Sequence, residues 1–488
     1  MSRINTNVAS MNAMHKLIAN NGKLNSSLQR LSSGLRINTG KDDPAGLIAS
    51  ETLRSEIRGI EKGIKNSERA SSVIATAEGA LNEISSLLLD IKGLLVESAN
   101  KGALASTEID ANQLQVDSAI NSIERIANST QFNGVKLLNG NLDYQTTSAT
   151  TTGGFQGVAI NSAKLIDGAD MTVAVDITTA AETGAVKLSG SATIADGLTI
   201  QVGSGRGTTE LTFAAGTDIS SVAAAINSVK EITGVSASAT SAIATPGTSE
   251  LTMHSVDYGS DAFVSVEILE ADADMDVNDG VSTGSAAGFS VKDFGVDVAA
   301  SVNGAAATGD GKTLTVRTAM LDGTFDLTDA FALTTSNTSM TITGGGADFA
   351  IGAQVDAIGL APIAIGSVAP SQLGNSTDGY LNTLKSGKGQ EMKGDNLVTA
   401  QKIIDSAIEN ISVMRGRLGA FQRNVLDTNM NSLRVSMENV TSAESSIRDT
   451  DFATETAAMT RAQILIQANT QILAQANSAP QNVLALLG

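Results

Sequence analysis

The sequence predicts a multidomain fold. An all-α core, a coiled coil or helical bundle, is made by pairing the N- and C-terminal helices, and a β-rich (α+β) outer domain is inserted between them. Three observations predict it. Apolar residues recur at alternating spacings of three and four through both ends of the chain, the seam of helices that supercoil against partners. From about residue 141 to 390 that period gives way to short apolar alternations rich in Gly, Thr, Ser and Ala, the pattern of strands and turns. Charge divides the same way: residues 141–390 hold 27 Asp and Glu against 9 Lys and Arg, and the rest holds 24 against 23. At 488 residues the chain exceeds what one core can organise.

In chain order, residues 4–35 are predicted helical. Ile4, Val8, Met11 and Ile18 lie on one side, and Leu17, Leu24, Leu28, Leu31 and Leu35 form a second stripe. Ser33-Gly34 and Thr39-Gly40 weaken the helix, and Asp42-Asp43-Pro44 opens the next, with Pro in its first turn. That second seam runs through Ile57, Ile60 and Ile64, passes Ser67 and Ser71, and continues through Ile74, Ala77, Leu81, Ile84, Leu88, Ile91 and Leu95. Asn100-Lys101-Gly102 ends it. A third helix carries Ile109, Val116, Ile120, Ile123 and Ala127. Asn133-Gly134 and Asn139-Gly140 flank Val135–Leu138, a hairpin signal.

In the middle, Met171–Ile177, Leu198–Val202, Glu210–Phe213 and Leu314–Thr318 are predicted strands, and Ile219–Val229 a short helix. Ser236–Thr248 is low in complexity, with disorder as a competing assignment. Helix returns from Asp395, with a seam at Ile404, Ala407, Ile411, Met414, Leu418, Phe421 and Val425. After a break in phase it resumes at Met430, Leu433, Met437 and Val440. Beyond Asp449-Thr450-Asp451 a last pattern follows: Met459, Ala462, Ile466, Leu473 and Ala476. Helices this long need the other end of the chain, or another copy, to cover such seams.

Composition narrows the function. Aromatics are 3% with no Trp, poor material for a deep pocket. Without Cys there is neither disulfide nor thiol nucleophile. No basic stripe with interleaved aromatics invites nucleic acid. No stretch reaches membrane-spanning length, and the N-terminus lacks an apolar signal core, so an extracellular role would imply export without a cleaved signal peptide. The two histidines, His15 and His254, stand in no metal or general-base motif; helix packing and a strand surface are their expected roles. No enzyme and no cofactor are expected. Asp272, Asp274 and Asp276 resemble the start of a calcium loop, but Val277 stands where its glycine belongs and Thr283 where its glutamate belongs. A solvated acidic turn is the stronger assignment. Gly344-Gly-Gly346 is expected to be a flexible turn.

Motifs at both ends resemble those of bacterial flagellin, the flagellar filament subunit. They are Leu28-Gln-Arg-Leu-Ser-Ser-Gly-Leu-Arg-Ile-Asn38, Lys41-Asp-Asp-Pro-Ala-Gly46, Thr130-Gln-Phe-Asn-Gly-Val-Lys136, Ile447-Arg-Asp-Thr-Asp-Phe-Ala-Thr-Glu455, Thr460-Arg-Ala-Gln-Ile-Leu465, Leu473-Ala-Gln-Ala-Asn477 and Pro480-Gln-Asn-Val-Leu-Ala-Leu-Leu487. The resemblance covers roughly residues 1–140 and 395–488, and residues 195–270 look like the insert module common in flagellins.

The resemblance implies a self-polymerising structural subunit of an extracellular filament that drives swimming. Residues 1–44 and 450–488 would line an inner tube, 45–175 and 391–449 would form a helical core domain with a β-hairpin, and 176–390 would be variable surface domains. Leu28, Leu31, Leu35, Ile464, Ile466, Ile472, Leu473 and Leu484 would serve self-assembly. Implied partners are further copies, an export chaperone, and hook–filament junction and cap proteins. A junction or cap-like flagellar protein, or an extracellular adhesin whose middle binds a ligand, are the alternatives. A Toll-like receptor contact would fall on Asp90, Leu94 and Leu114. Strongly recognised members carry Arg at the first position and an acid at the third, so weak contact is implied.

Overall fold

The computed structural model describes residues 6–147, 154–165, 169–241, 248–270, 275–279, 282–356, 358–392 and 396–485, side chains at 241, 248, 249 and 479–485 excepted. The longer helices are α1 (Val8–Ser33), α2 (Pro44–Ser98), α3 (Ser106–Ser129), α4 (Ile219–Ser228), α5 (Leu397–Phe421), α6 (Thr428–Arg448) and α7 (Phe452–Ala485). The chain divides into two compact units. One comprises Met1–Ser72, Phe349–Ala361 and Ala420–Gly488, the other Val73–Asp348 and Pro362–Gly419.

In the first unit α1 and α7 run antiparallel. Asn7 Nδ2 donates to Ala476 O (2.7 Å) at one end, and Arg30 approaches Glu455 (3.6 Å) at the other. Local chemistry sets the ends. The Asn7 side chain caps α1 by accepting from Ser10 N, and Gly34 closes it in the left-handed region (φ 73°). Asp451 accepts from the backbone N–H groups of Ala453 and Thr454 at the start of α7. Where the arms leave the unit's other helices, Arg36 N donates to Arg448 O (2.6 Å) and Thr450 N to Gly34 O (2.9 Å), a short antiparallel clamp.

The predicted break in phase between Val425 and Met430 is a stretch of π-helix, Gln422–Asp427. One extra residue per turn there re-phases the seam, so Leu426 is buried and Val425 only half-buried. The seam of α2 also differs from expectation. Its buried positions run Ile60, Gly63, Ser67, Ala70, Ile74 and onward at strict 3-4 spacing, while Ile57, Ile64 and Ser71 are half-buried. Small residues occupy this stretch because another backbone lies on it. A Cβ at Gly59 would run into Ala353 O, and one at Gly63 would sit 2.9 Å from Gly352 O.

In the second unit the seams of α2 (Ile74 to Leu95) and α3 (Val116, Ile120, Ile123, Ala127) are fully buried, as are Ala400, Ile403, Ile404, Ala407, Ile411 and Leu418 on α5, where Met414 is half-buried. Lys92 pairs with Asp405 (2.7 Å) between α2 and α5, and Asn112 donates to Ser98 (3.2 Å) between α3 and α2. Asn133 and Gly134 both take positive φ (50° and 83°) and close the expected two-residue hairpin, Gln131–Phe132 against Val135–Lys136.

The strand-rich part is two nested modules, every pairing antiparallel. In the first, a five-stranded sheet (Ala305–Ala306, Ala299–Val302, Met171–Thr179, Asn337–Gly345, Tyr144–Thr147) shares a core with a four-stranded one (Thr308–Asp310, Thr313–Arg317, Leu321–Leu327, Phe155–Ala163). Phe155 and Phe325, 6.0 Å apart, fill its centre. The second is inserted into it. There Thr283–Gly284, Met275–Asn278, Ala185–Ser191, Thr248–Ser255 and Val235–Ser241 share a core with Ser290–Phe294, Phe263–Glu270, Leu198–Gly203, Thr208–Phe213 and α4.

Four expectations are corrected. Residues 236–241 are a strand paired with Thr248–Ser255, not disordered; residues 242–247 lie outside the described set. A border at 176 falls inside the strand Met171–Thr179, and the first strand module already includes Tyr144–Thr147. Residues up to Met392 belong with the helices: Gln113 donates to Leu384 O and accepts from Met392 N (both 2.9 Å). Gly344–Gly346 is no free turn. A Cβ at Gly345 (φ 91°) would run into Asp143 O, and one at Gly346 would meet the Tyr144 ring at 2.7 Å.

Candidate assembly surface

The α1/α7 pair is packed by its small and polar residues. Ala13, Asn20 and Ser27 are buried on α1, and Ala462 and Asn469 on α7. Leu17, Leu24 and Leu31 fill the same stripe half-buried, as do Met459, Ile466 and Leu473 opposite. Asn469 takes the seam position the sequence pattern skipped between Ile466 and Leu473. Large apolar residues crowd the other faces. Val8, Met11, Met14, Ile18 and Leu28 on α1 are exposed, as are Phe452, Ile464, Leu465 and Ile472 on α7. Fully burying one such side chain stabilises by roughly 1.5–3 kcal/mol, so the pair alone leaves much of its apolar driving force unused.

The eight assembly residues separate accordingly. Leu28, Ile464 and Ile472 face solvent, while Leu31, Leu35, Ile466 and Leu473 are half-buried within the chain. Leu484 lies in α7 among the side chains not described. Of the receptor-patch residues, Asp90 and Leu114 are exposed and Leu94 is half-buried. Asp276 is an exposed residue on the strand Met275–Asn278, and Asp272 and Asp274 lie outside the described residues. Among the described residues no group of three or more His, Asp or Glu is placed to hold a metal. His254 is half-buried beside Thr183 Oγ1 (3.4 Å), and burial, then Lys187, lowers its pKa. His15, expected to pack, is instead exposed on α1, because the seam passes through Ala13 and Leu17.

Sequence reasoning missed Arg417. From α5 its guanidinium reaches Asn161 Oδ1 and Ala364 O (3.2 Å), and Asn161 donates to Asp322 (3.0 Å). Burial pulls the Arg417 pKa down, opposed by the Asp143 and Asp322 carboxylates; burial pushes Asp143 up. This half-buried charge ties the first strand module to α5 within the second unit. No periodicity marks it, since Arg417 lies just off the seam beside Leu418.

Long helices that pair through small residues and turn large ones outward, together with a strand-rich insert with a closed core, define a helical assembly subunit. Three family models match the chain: the bacterial flagellin N-terminal helical region over residues 4–143, the bacterial flagellin C-terminal helical region over 401–487, and the flagellin hook IN motif over 197–256. The chain is 30% identical over 521 residues to flagellin of Salmonella muenchen and 32% identical over 543 residues to the B-type flagellin of Pseudomonas aeruginosa, with 99% of both chains covered each time. Against flagellin of Bacillus subtilis it is 28% identical over 487 residues, again with 99% of both covered. A solved flagellar hook associated protein-3 from Legionella pneumophila covers 80% of this chain and 97% of its own at 14% identity, with a TM-score of 0.30, too loose a match to argue from. The chain belongs to the flagellin family. It is a structural subunit of the flagellar filament.

Proposed function

We propose that α1 and α7 act together as the arm by which copies of this chain join, and that the strand modules form the filament's acidic outer surface. The observation that carries this is the inverted burial of the pair: small side chains inside, Ile464, Ile472, Met11 and Ile18 outside. Copies stacking on these faces bury what a single chain leaves wet. The near-neutral charge of the terminal regions lets many copies pack without mutual repulsion. The chain performs no catalysis in this role. Before assembly, an export chaperone covers α7, on which Phe452, Ile464, Leu465 and Ile472 are exposed. Hook-junction and cap proteins meet the ends of the polymer.

Contact with a Toll-like receptor is weak on this reading. Asp90 offers a negative charge where strongly recognised relatives offer Arg, and Lys92 is engaged by Asp405. Losing an Arg anchor at an interface costs roughly 2 kcal/mol or more. Deleting residues 450–488 tests the main proposal. The expected product is a soluble monomer with intact strand modules that does not polymerise; filaments from that truncation would contradict it.

A further inference from the structure

We propose that residues 256–262 form a clasp that fixes the second strand module on the first and can open while both modules stay folded. Both modules lie within the second compact unit, and only residues 180–184 and 295–298 join them. Those two segments form a narrow ribbon, in which Glu182 and Val296 exchange backbone hydrogen bonds (2.9 and 3.0 Å). Relative motion is the default for two bodies joined this way unless an interface holds them. The clasp, on the loop between the strands Thr248–Ser255 and Phe263–Glu270, supplies that interface. Among the described residues the two cores share no member, and Tyr258 is the one apolar side chain from residues 185–294 packed against the first core. Lys312 of the first module stands over its ring, with Nζ 4.9 Å from the centroid, and is held there by Asp329 (2.7 Å).

Asp297, on the returning segment, is the staple. Its Oδ1 accepts from Ser260 N (3.0 Å) in the loop and from Gly311 N (2.8 Å) in the first module, and its Oδ2 accepts from Ser260 Oγ (2.5 Å). One carboxylate thus holds a backbone group from each side, and hydrogen bonds to an ionised acceptor are about twice as strong as neutral ones. The loop lies directly on the ribbon: a Cβ at Gly295 would sit 2.6 Å from Gly259 O. On its own side the loop is braced. Arg206 grips Asp257 through Nε to Oδ2 (3.1 Å) and Nη2 to Oδ1 (2.8 Å), and Ser255 Oγ donates to Asp257 O (2.7 Å). The loop therefore moves with the second module, and the contact that breaks on opening is the one to Tyr258 and Asp297. That contact is one ring, one carboxylate and a few backbone hydrogen bonds, so releasing it uncovers neither core. The clasp does not depend on the filament reading.

The test measures the distance between the modules in the full chain. The chain has no cysteine, so Ser220→Cys on α4 and Ala319→Cys in the first module, both exposed, take spin labels at defined places. Double electron–electron resonance on this labelled chain should give one narrow distance distribution. With Tyr258→Ala and Asp297→Ala added, the distribution should become at least about twofold wider, as for modules free to move. Amide exchange in Leu198–Gly203 and Leu321–Leu327, one strand from each core, should stay as slow as before. Tyr258→Phe keeps the ring and should keep the narrow distribution. An unchanged width in the double alanine variant would overturn the clasp, as would a broad distribution in the labelled chain before any clasp substitution. Faster exchange in either core would overturn it too, because the loop would then hold a module's fold and not its orientation. A Tyr258→Phe distribution as wide as that of the double alanine variant would remove the ring from the contact and contradict the proposal.

Discussion

The first strand module and the α1/α7 pair solve the same problem in opposite ways. The module buries Phe155, Phe325, Leu314 and Ile342 completely. The helix pair buries Ala13, Asn20, Ser27, Ala462 and Asn469, and leaves Met11, Ile18, Ile464 and Ile472 in water. Both are folded, but only the module is finished. Composition alone would not separate them, since both are rich in Ala, Ile and Leu or Val. The difference lies in which side chains the chain's own partner covers. A closed core gives stability to one molecule, whereas on the proposed reading an inverted pair keeps its apolar area for the next copy.

The comparison can be broken most sharply from the module side. Phe325→Ala should cost about 3–5 kcal/mol of module stability through the cavity it leaves. Calorimetry should show a lower transition for the strand-rich part, while seeded polymerisation persists below that temperature. Loss of assembly with an unchanged melting curve would mean that the two regions are not separable in this way.

A smaller effect is expected at Gly345, which holds φ 91° against Asp143 O. Gly345→Ala should destabilise the first module by roughly 1–3 kcal/mol, the cost of a strained backbone position. Denaturant unfolding followed by tyrosine fluorescence would measure it, because Tyr144 lies beside this turn. A neutral outcome would show that the turn has room to relax.

In the pair, the buried Asn469 should act with the opposite sign. A polar residue in a helical seam fixes register at a cost in stability. Asn469→Leu should therefore raise the stability of the pair by about 1 kcal/mol and make copies join in more than one register. Thermal melting by circular dichroism reads the first effect, and disordered filaments in electron micrographs the second. Ordered filaments with an unchanged melt would remove Asn469 from this role.

The smallest effect is one of pH. Hydrogen bonds from the Thr454 side chain, then from the backbone N–H groups of Thr454 and Ala453, hold the Asp451 carboxyl below its usual range. A folded pKa below the unfolded one gives stability that is present above the unfolded value and lost as pH falls through the folded one. The start of α7 should therefore fray below about pH 4. Asp451→Ala should have less helix near neutral pH and a shallower acid loss by circular dichroism. Parallel curves for the two proteins would assign the acid transition elsewhere.

Much of the helical part was legible because its signals are local. Pro44 starts α2, Gly34 ends α1 with a positive φ, and Asn133-Gly134 makes its hairpin. The phase break near Val425 is a real π-helical insertion. What was missed depends on partners far along the chain. A periodicity search weights large apolar residues, so it placed Ile64 and Ser71 in a seam that runs through Gly63 and Ala70. Gly63 is small because the backbone of residues 351 and 352, nearly 300 positions away, lies on the helix. Nesting hid the start of the strand region in the same way: Tyr144–Thr147 finds its neighbour in Asn337–Gly345. Of the assembly surface, the apolar stripes were visible, but their division into inward and outward members was not. Leu31 and Ile464 look alike until α1 and α7 are paired.

The most direct test of the central claim is the Ile464→Asp, Ile472→Asp double variant, measured for monomer helicity and for seeded polymerisation. Both residues are exposed, at 59% and 56%, so helicity should match the unmodified chain. Polymerisation should be abolished, because two charges would be buried without partners wherever copies meet. Filaments at the unmodified critical concentration would contradict the account.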